Sequence, residues 1–347
     1  MSDYFDRVER QIAQRVEAGV PRSTRLPAIV GRLGYVAAVL IVIVVAGAFL
    51  LARGAGPTSP AGPGLSPNSS NVLSISFTPQ SAPHRGAISH TLQILRNRLY
   101  EAVPGARVSW TGGHIVVVVP HPRRNARAQI LALSAPGHLE FYDWEGSVIA
   151  PNGNTVASLL PDPPALIMSQ GSGTAAPGGP GLGSLSLPRA RELAAKEPAS
   201  IRLALVQAVG QGARGAAAQF YVLRGAPALS ESDITNPRAS TDPNTRVPDV
   251  TFNFTPGGAK AFHALTAAVA RRGAQVSRLG ETLEQHFAVV LDNRLTEVPY
   301  VDYKQYPDGI SGNEGVDLIA GFTTQSAKDT AIVLRYGPLP IDLTAAG

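Results

Sequence analysis

The sequence predicts an α+β protein: a split βαβ (ferredoxin-like) unit and a second α/β subdomain, preceded by one transmembrane helix. Three observations predict this. Residues 33–52 run for twenty positions without a charge. Two stretches, 72–145 and 249–343, alternate strand and helix signals. Segments rich in Pro, Gly and Ser separate these patterned parts.

The uncharged run, LGYVAAVLIVIVVAGAFLLA, makes a helix about 30 Å long, the thickness of a bilayer's hydrocarbon core. Its backbone groups pair within the helix, so lipid leaves none unsatisfied. Arg7, Arg10, Arg15, Arg22, Arg25 and Arg32 precede it, and after Arg53 the next basic residue is Arg85. The positive-inside rule therefore puts residues 1–32 in the cytoplasm and the rest outside. A cleaved signal peptide would have a shorter apolar region ending at a small-residue site, and no clean A-x-A follows the run. Before the run, Phe5, Val8, Ile12 and Val16 fall near helical spacing, which predicts a short amphipathic segment over 3–18.

The net charge of +5 is partly an orientation signal. Beyond Arg53 there remain 23 basic against 21 acidic residues, no electrostatic footprint for nucleic acid. The chain has no cysteine, which excludes disulfides, thiolate nucleophiles and Cys-ligated zinc. The exported part must therefore stand on its apolar core.

Residues 53–71 read as a disordered spacer. After it, Val72–Phe77 alternates as a strand, and Ile88, Leu92, Leu95 and Leu99 mark one helical face, with Arg96 and Arg98 on the other. Ala106–Trp110 and His114–Val119 flank a glycine turn, Asn125–Leu133 reads as a helix, and His138–Asp143 as a closing strand. That order, β-α-β-β-α-β, is the split βαβ layout over 72–145. Residues 146–219 read as a flexible Gly/Pro-rich insertion and connector. Within them GSGTAAPGGPGLGS lacks the leading strand and closing Gly-Lys-Ser/Thr of a phosphate loop.

The final part, 220–343, begins its clear pattern at the strand Asp249–Phe254. Thr255 is a good N-cap with Pro256 at the first helical position, and Phe262, Leu265 and Val269 make the buried stripe. Arg271 and Arg272 suit the helix C-terminus, with Gly273 as the stop. His286–Leu291 and Leu295–Val301 form a hairpin across Asp292-Asn293-Arg294. A last helix starts at Thr323, ends at Gly337-Pro338, and leads into a short strand at Leu339–Leu343.

Several of these pieces, in this order, resemble the first exported domain of SecD, part of the bacterial SecDF export machinery. They include Leu95-Arg96-Asn97-Arg98-Leu99, Ile115–Pro120, Arg127-Ala128 and Leu139-Glu140-Phe141. They continue through Phe252-Asn253-Phe254-Thr255, Gly258–Phe262, Val289–Asn293 and Val298-Pro299. They end in Ile319–Thr323, Ala327-Lys328-Asp329 and Leu334–Pro340. The resemblance is most specific over 249–343, which is similar to the family's head subdomain. It implies an exported module at the plasma membrane that binds emerging unfolded polypeptide, with translocon or SecF-like subunits as partners. A diverged envelope scaffold is the alternative function. The family's Asp-Leu-x-Gly-Gly motif is replaced by spacer sequence, and its further membrane helices would begin where the sequence reaches Gly347. The one span carries no ionisable residue, so the family's proton coupling is not expected of it.

No catalytic, cofactor-binding or metal site is expected, and no small-molecule substrate. There is no His-Glu-x-x-His, no Gly-x-Ser-x-Gly and no phosphate loop. The seven histidines (His84, His90, His114, His121, His138, His263, His286) are scattered. Asp292 reads as a turn residue, and Glu281 with Glu284 as a solvated helix face.

Overall fold

The structure, a computed structural model, describes residues 72–159, 184–208, 219–243, 245–277 and 284–346. The expected membrane span, the amphipathic 3–18 segment, the 53–71 spacer and the glycine-rich 171–183 run lie outside them. Among the described residues no helix is long and apolar enough to cross a membrane.

The strands are β1 (Val72–Pro79), β2 (Arg107–Thr111), β3 (His114–Pro120), β4 (Leu139–Asp143), β5 (Leu203–Ala208), β6 (Phe220–Arg224), β7 (Leu229–Ser230), β8 (Ile234–Thr241), β9 (Pro248–Phe254), β10 (Gln285–Leu291), β11 (Arg294–Glu297), β12 (Tyr300–Val301), β13 (Val316–Leu318) and β14 (Leu343–Ala345). The helices are α1 (Arg85–Ala102), α2 (Ala126–Leu133), α3 (Trp144–Ser147), α4 (Val156–Leu159), α5 (Leu187–Lys196), α6 (Pro256–Val276) and α7 (Thr324–Tyr336).

The mixed α+β class stands, but the split βαβ unit closes differently from the sequence reading. Its sheet has the order β14-β1-β3-β2, with Leu73 opposite Val119, Val108 opposite Val117 and Phe77 opposite Ala345. The second crossover is made by α7 and β14, contributed about two hundred residues further along the chain. β4 instead pairs with β10 and β7 in a second sheet, β6-β5-β11-β10-β4-β7, in which β12 also pairs with β10. Either strand could close the unit on local signals alone, and only pairing across the chain tells them apart. The closing strand also lies later than Leu339–Leu343, because Leu339 is taken up in a segment bonded to Pro136.

A third sheet, β13-β9-β8, completes the framework. Residues 184–208, part of the expected flexible insertion, form α5 and β5. Their apolar residues Leu185, Ala190 and Leu193 bury against Val222 and Ile149, and this burial orders them. Local signals account well for α6 and α7. The Thr255 hydroxyl accepts from Gly258 N at 3.0 Å with Pro256 in the first turn, and Thr323 and Ser326 form a reciprocal capping box. Gly273 does not stop α6: the helix runs on to Val276, and Tyr303 packs where a Cβ would stand.

The helix α1 is rotated from the expected stripe. Its buried residues are Ala87, Thr91, Ile94, Leu95, Arg98 and Leu99, so Arg98 lies inside, not on the polar face. Ile88 and Leu92 are only half-buried.

Apart from a core around Trp144 under the second sheet, two large cores result. One, under the first sheet, holds Ile75, Phe77, Leu95, Leu99, Ile115, Val117 and Ile130. The other surrounds five phenylalanines: Phe141 lies within 6.4 Å, ring centre to ring centre, of Phe252, Phe254, Phe262 and Phe287, mostly edge to face. Helix α7 belongs to both, giving Ala327, Ala331 and Leu334 to the phenylalanine core and Ile332 and Val333 to the first.

Candidate functional site

The chain passes between the two cores at 133–138, from α2 into β4, and at 337–341, from α7 towards β14. Backbone bonding joins these passages, Leu339 N donating to Pro136 O at 2.8 Å. Two charged side chains fix the first passage from opposite sides.

Arg98 reaches it from α1. Its Nη1 donates to Leu133 O (2.9 Å) and Ala135 O (2.6 Å), and its Nη2 to Pro136 O (3.2 Å) and Gly337 O (2.5 Å). Arg98 has no exposed surface. Burial lowers its pKa to about 10, with the charge of Asp292 working the other way. Its Nε has no partner. One planar fork thus ties both passages to α1 through carbonyl oxygens.

Asp292 reaches the same segment from the β10–β11 hairpin. Its Oδ1 accepts from Gly137 N at 2.6 Å and His138 N at 2.8 Å, while its own N–H donates to His138 O at 2.9 Å. Asp292 and Asn293 sit at φ 51° and 60°, the left-handed pair that a tight hairpin turn requires. Asp292 is therefore a turn residue, and it also anchors the crossing backbone. Burial pushes its carboxyl upward, against the pull of those two amides. Gly137 lies between the two charges at φ 89°, where a Cβ would stand 2.8 Å from Val333 Cγ1 and 2.9 Å from Arg98 Nη2.

Beside this crossing lies an open groove of about 600 Å³. Ile94 and His90 of α1 form one wall, and the extended Tyr336–Asp342 segment forms the other, with Ser81 and His138 at its ends. Pro338 and Pro340 have no N–H to satisfy, so this wall is apolar with few free donors. Glu231, 3.8 Å from His138 Nδ1, raises the imidazole's pKa against the effect of its burial.

A buried polar network lies elsewhere, under the second sheet. Glu145 is fully buried, and its carboxylate meets His286 Nδ1 at 2.7 Å, His286 N at 2.9 Å and Arg272 Nη2 at 3.2 Å. Arg272 also grips Asp143 with both Nη atoms (2.7 and 2.5 Å) and donates through Nε to Gln285 at 2.7 Å. Burial opposes the Arg272 charge, yet Asp143 and Glu145 outweigh it and hold its pKa above the ordinary value. With Glu145 fully buried and Arg272 and Asp143 partly open to solvent, the cluster braces α3, α6 and β10.

The other histidines are dispersed. His84 caps α1 by accepting from Ala87 N at 3.1 Å, His114 meets Thr78 at 3.1 Å, and His121 and His263 are exposed. Among the described residues no group of three His, Asp or Glu side chains is arranged to hold a metal ion. Glu284 is exposed, and Glu281 lies outside the described residues. The buried roles of Arg98, Glu145 and Arg272 escaped sequence reasoning. A charge flanked by leucines in Leu95–Leu99 was the one available sign of Arg98.

A family model described as the SecDF P1 head subdomain matches residues 207–341. Over that range the chain resembles SecD. Against the protein translocase subunit SecD of Rhodobacter capsulatus it is 31% identical over 125 residues, 36% of this chain and 19% of the relative. The SecDF subunit of Thermus thermophilus gives 32% over 123 residues, 35% of this chain and 14% of that protein. SecD of Acetobacter pasteurianus gives 33% over 113 residues, 33% of this chain and 18% of the relative. The matches thus span about a fifth or less of these relatives' length. A solved SecDF structure in a super-membrane-facing form aligns with a TM-score of 0.47 and 21% identity, over 81% of this chain and 32% of that one. The SecD-like head, by the matched range, includes the Asp292 turn and α7 but not Arg98.

Proposed function

We propose that this SecD-like chain assists protein export as a membrane-anchored module on the extracytoplasmic face, binding unfolded polypeptide as it emerges. The observation that carries the reading is the SecDF P1 head match over 207–341. Its relatives bear the name protein translocase subunit. In this reading residues 33–52 are the anchor, 1–32 are cytoplasmic, and translocon or SecF-like subunits are the partners. No catalytic step belongs to it.

Two features suit unfolded chains. The groove beside the crossing offers Pro340, Pro338 and Tyr336, which make little demand for a particular sequence. The strand β2 lies at an edge of its sheet, where Arg96 holds Val108 O and the other edge groups can pair with an added strand. Photocrosslinkers at the exposed positions His90 and Pro340, with others at Asn293 and Phe322, test the proposal during active export. The expected result is capture of secretory chains at the groove positions and of translocon components at one or more of the four. Capture of neither overturns it, and a stable envelope partner unconnected to export would favour the scaffold role.

A further inference from the structure

A second cleft lies where α1, α2, α7 and β8 meet, away from the groove proposed for polypeptide. It encloses about 330 Å³, within the range of about 300–1,000 Å³ typical of small-ligand sites. Its charges are unevenly used. Glu101 is engaged by Arg335 Nη1 at 2.5 Å and by the Tyr336 hydroxyl at 3.1 Å, while Arg335 Nη2 donates to Pro237 O at 3.1 Å. Asp329 is buried within the cleft lining, where its Oδ1 accepts from Gln129 Nε2 (3.1 Å) and Gln325 Nε2 (3.0 Å). Burial raises its pKa against those two amides, which disfavours its charged form.

What remains is cationic. Arg123 and Lys328 line the cleft, both exposed, and neither has an acidic partner among the described residues. Arg124 and Arg127, also exposed and without ion pairs, stand beside them in sequence. Asn125, which lines the same cleft at the start of α2, makes no side-chain cap, so first-turn amides there are not satisfied by its side chain. Arg123 and Lys328, lining one cleft, supply the guanidinium and ammonium donors that a tetrahedral oxyanion takes up through short charge-assisted bonds.

We propose that this cleft binds a phosphate group, held by Arg123 and Lys328. The group could be carried by a phospholipid headgroup or by a soluble phosphate, and the chemistry at the protein is the same for both. The site is independent of the polypeptide reading and survives its failure.

Titration calorimetry on the full chain in neutral detergent tests it, with three probes: inorganic phosphate, short-chain phosphatidylglycerol and short-chain diacylglycerol, which carries no phosphate. The expected result is binding of the first two and not the third, weakened about tenfold or more in Arg123→Gln/Lys328→Gln. Arg271→Gln, an exposed charge on α6, should leave binding unchanged. Phosphatidylglycerol binding much more tightly than phosphate assigns a lipid source, and equal affinities assign a soluble one. Absence of binding by both anions, equal binding of diacylglycerol, or full affinity in the double variant overturns the proposal. Single Lys328→Gln, at an exposed helix position, serves where the double variant is poorly folded.

Discussion

At Arg98 a buried guanidinium is held without a carboxylate in contact. Four carbonyl oxygens take its place, drawn from two segments more than two hundred residues apart in sequence. Removing the side chain leaves those carbonyls without that donor in a closed site, so Arg98→Met should destabilise the protein by about 3–5 kcal/mol. Arg98→Lys should recover less than half of this, because one ammonium cannot serve four acceptors spread across a planar fork. Urea unfolding of the three proteins measures both, and a loss below about 1 kcal/mol for Arg98→Met would show that the carbonyls find other donors. The same residue marks a limit of sequence reading. Periodicity places Arg98 on the polar face, with Ile88 and Leu92 in the apolar stripe. A rotation of the helix by part of a turn exchanges these positions, and an arginine can occupy the inside once carbonyls are aimed at it. Asp292 was legible as a turn residue from its neighbours, but its hold on Gly137 and His138 depends on a partner 154 residues away in sequence.

Among the elements, the three-stranded sheet β13-β9-β8 carries an unusual load of acid. Val250, Phe252 and Phe254 face the phenylalanine core, which puts Asp249 on the opposite face. Asp317, opposite Thr251, and Asp242 lie close enough for their charges to act on it. Burial, then the charge of Asp317 and that of Asp242, push the Asp249 carboxyl up to about 6, and one of its oxygens has no partner. Glu297 is pushed up to about 7, mainly by burial, with its bond to Ile319 N opposing. The sign of the effect follows from proton linkage. Between its ordinary value and the raised one, an unfolded carboxyl has released a proton that the folded one retains. Stability contributed by Asp249 and Glu297 is therefore full near pH 4 and lost as pH rises to about 7. Thermal midpoints measured over that interval should fall with rising pH. Asp249→Asn should flatten the slope and raise the midpoint at pH 7, while an unchanged slope would assign the pH dependence elsewhere. Strand β9 itself was legible from its alternation, and so were the caps of α6 and α7, because each is written in adjacent residues. The acidic face was not, since Asp249 and Asp317 meet only once β9 and β13 pair.

Across the whole molecule, the decisive feature is that the first sheet is completed by the end of the chain. β1, α1, β2 and β3 form from residues 72–120, yet their fourth strand and second crossover wait for α7 and β14. Sequence reading closes this unit at residue 143 because neighbours in sequence usually pair, whereas β4 pairs with β10 and β7. Helix α7 then serves two cores with its two faces, so neither core is complete without it. The consequence is a single cooperative unit in which damage on one side is felt on the other. The two tryptophans make this measurable. Trp110 packs against the first core, and Trp144, fully buried, stacks edge-on to Tyr221 at 4.9 Å under the second sheet. Leu334→Ala opens a cavity only on the phenylalanine side of α7, at a cost of about 2–4 kcal/mol. Fluorescence of Trp110 in a Trp144→Phe background should nonetheless report a midpoint lowered as much as that of Trp144 in a Trp110→Phe background. Separate midpoints, with Trp110 unmoved by Leu334→Ala, would mean that the cores unfold independently and that α7 is merely adjacent to both. By the same reasoning a fragment of residues 72–145, lacking α7 and β14, should show no cooperative transition in urea. A fragment that unfolds cooperatively would mean that the first sheet closes without its C-terminal strand, and that α7 adds to a core already complete.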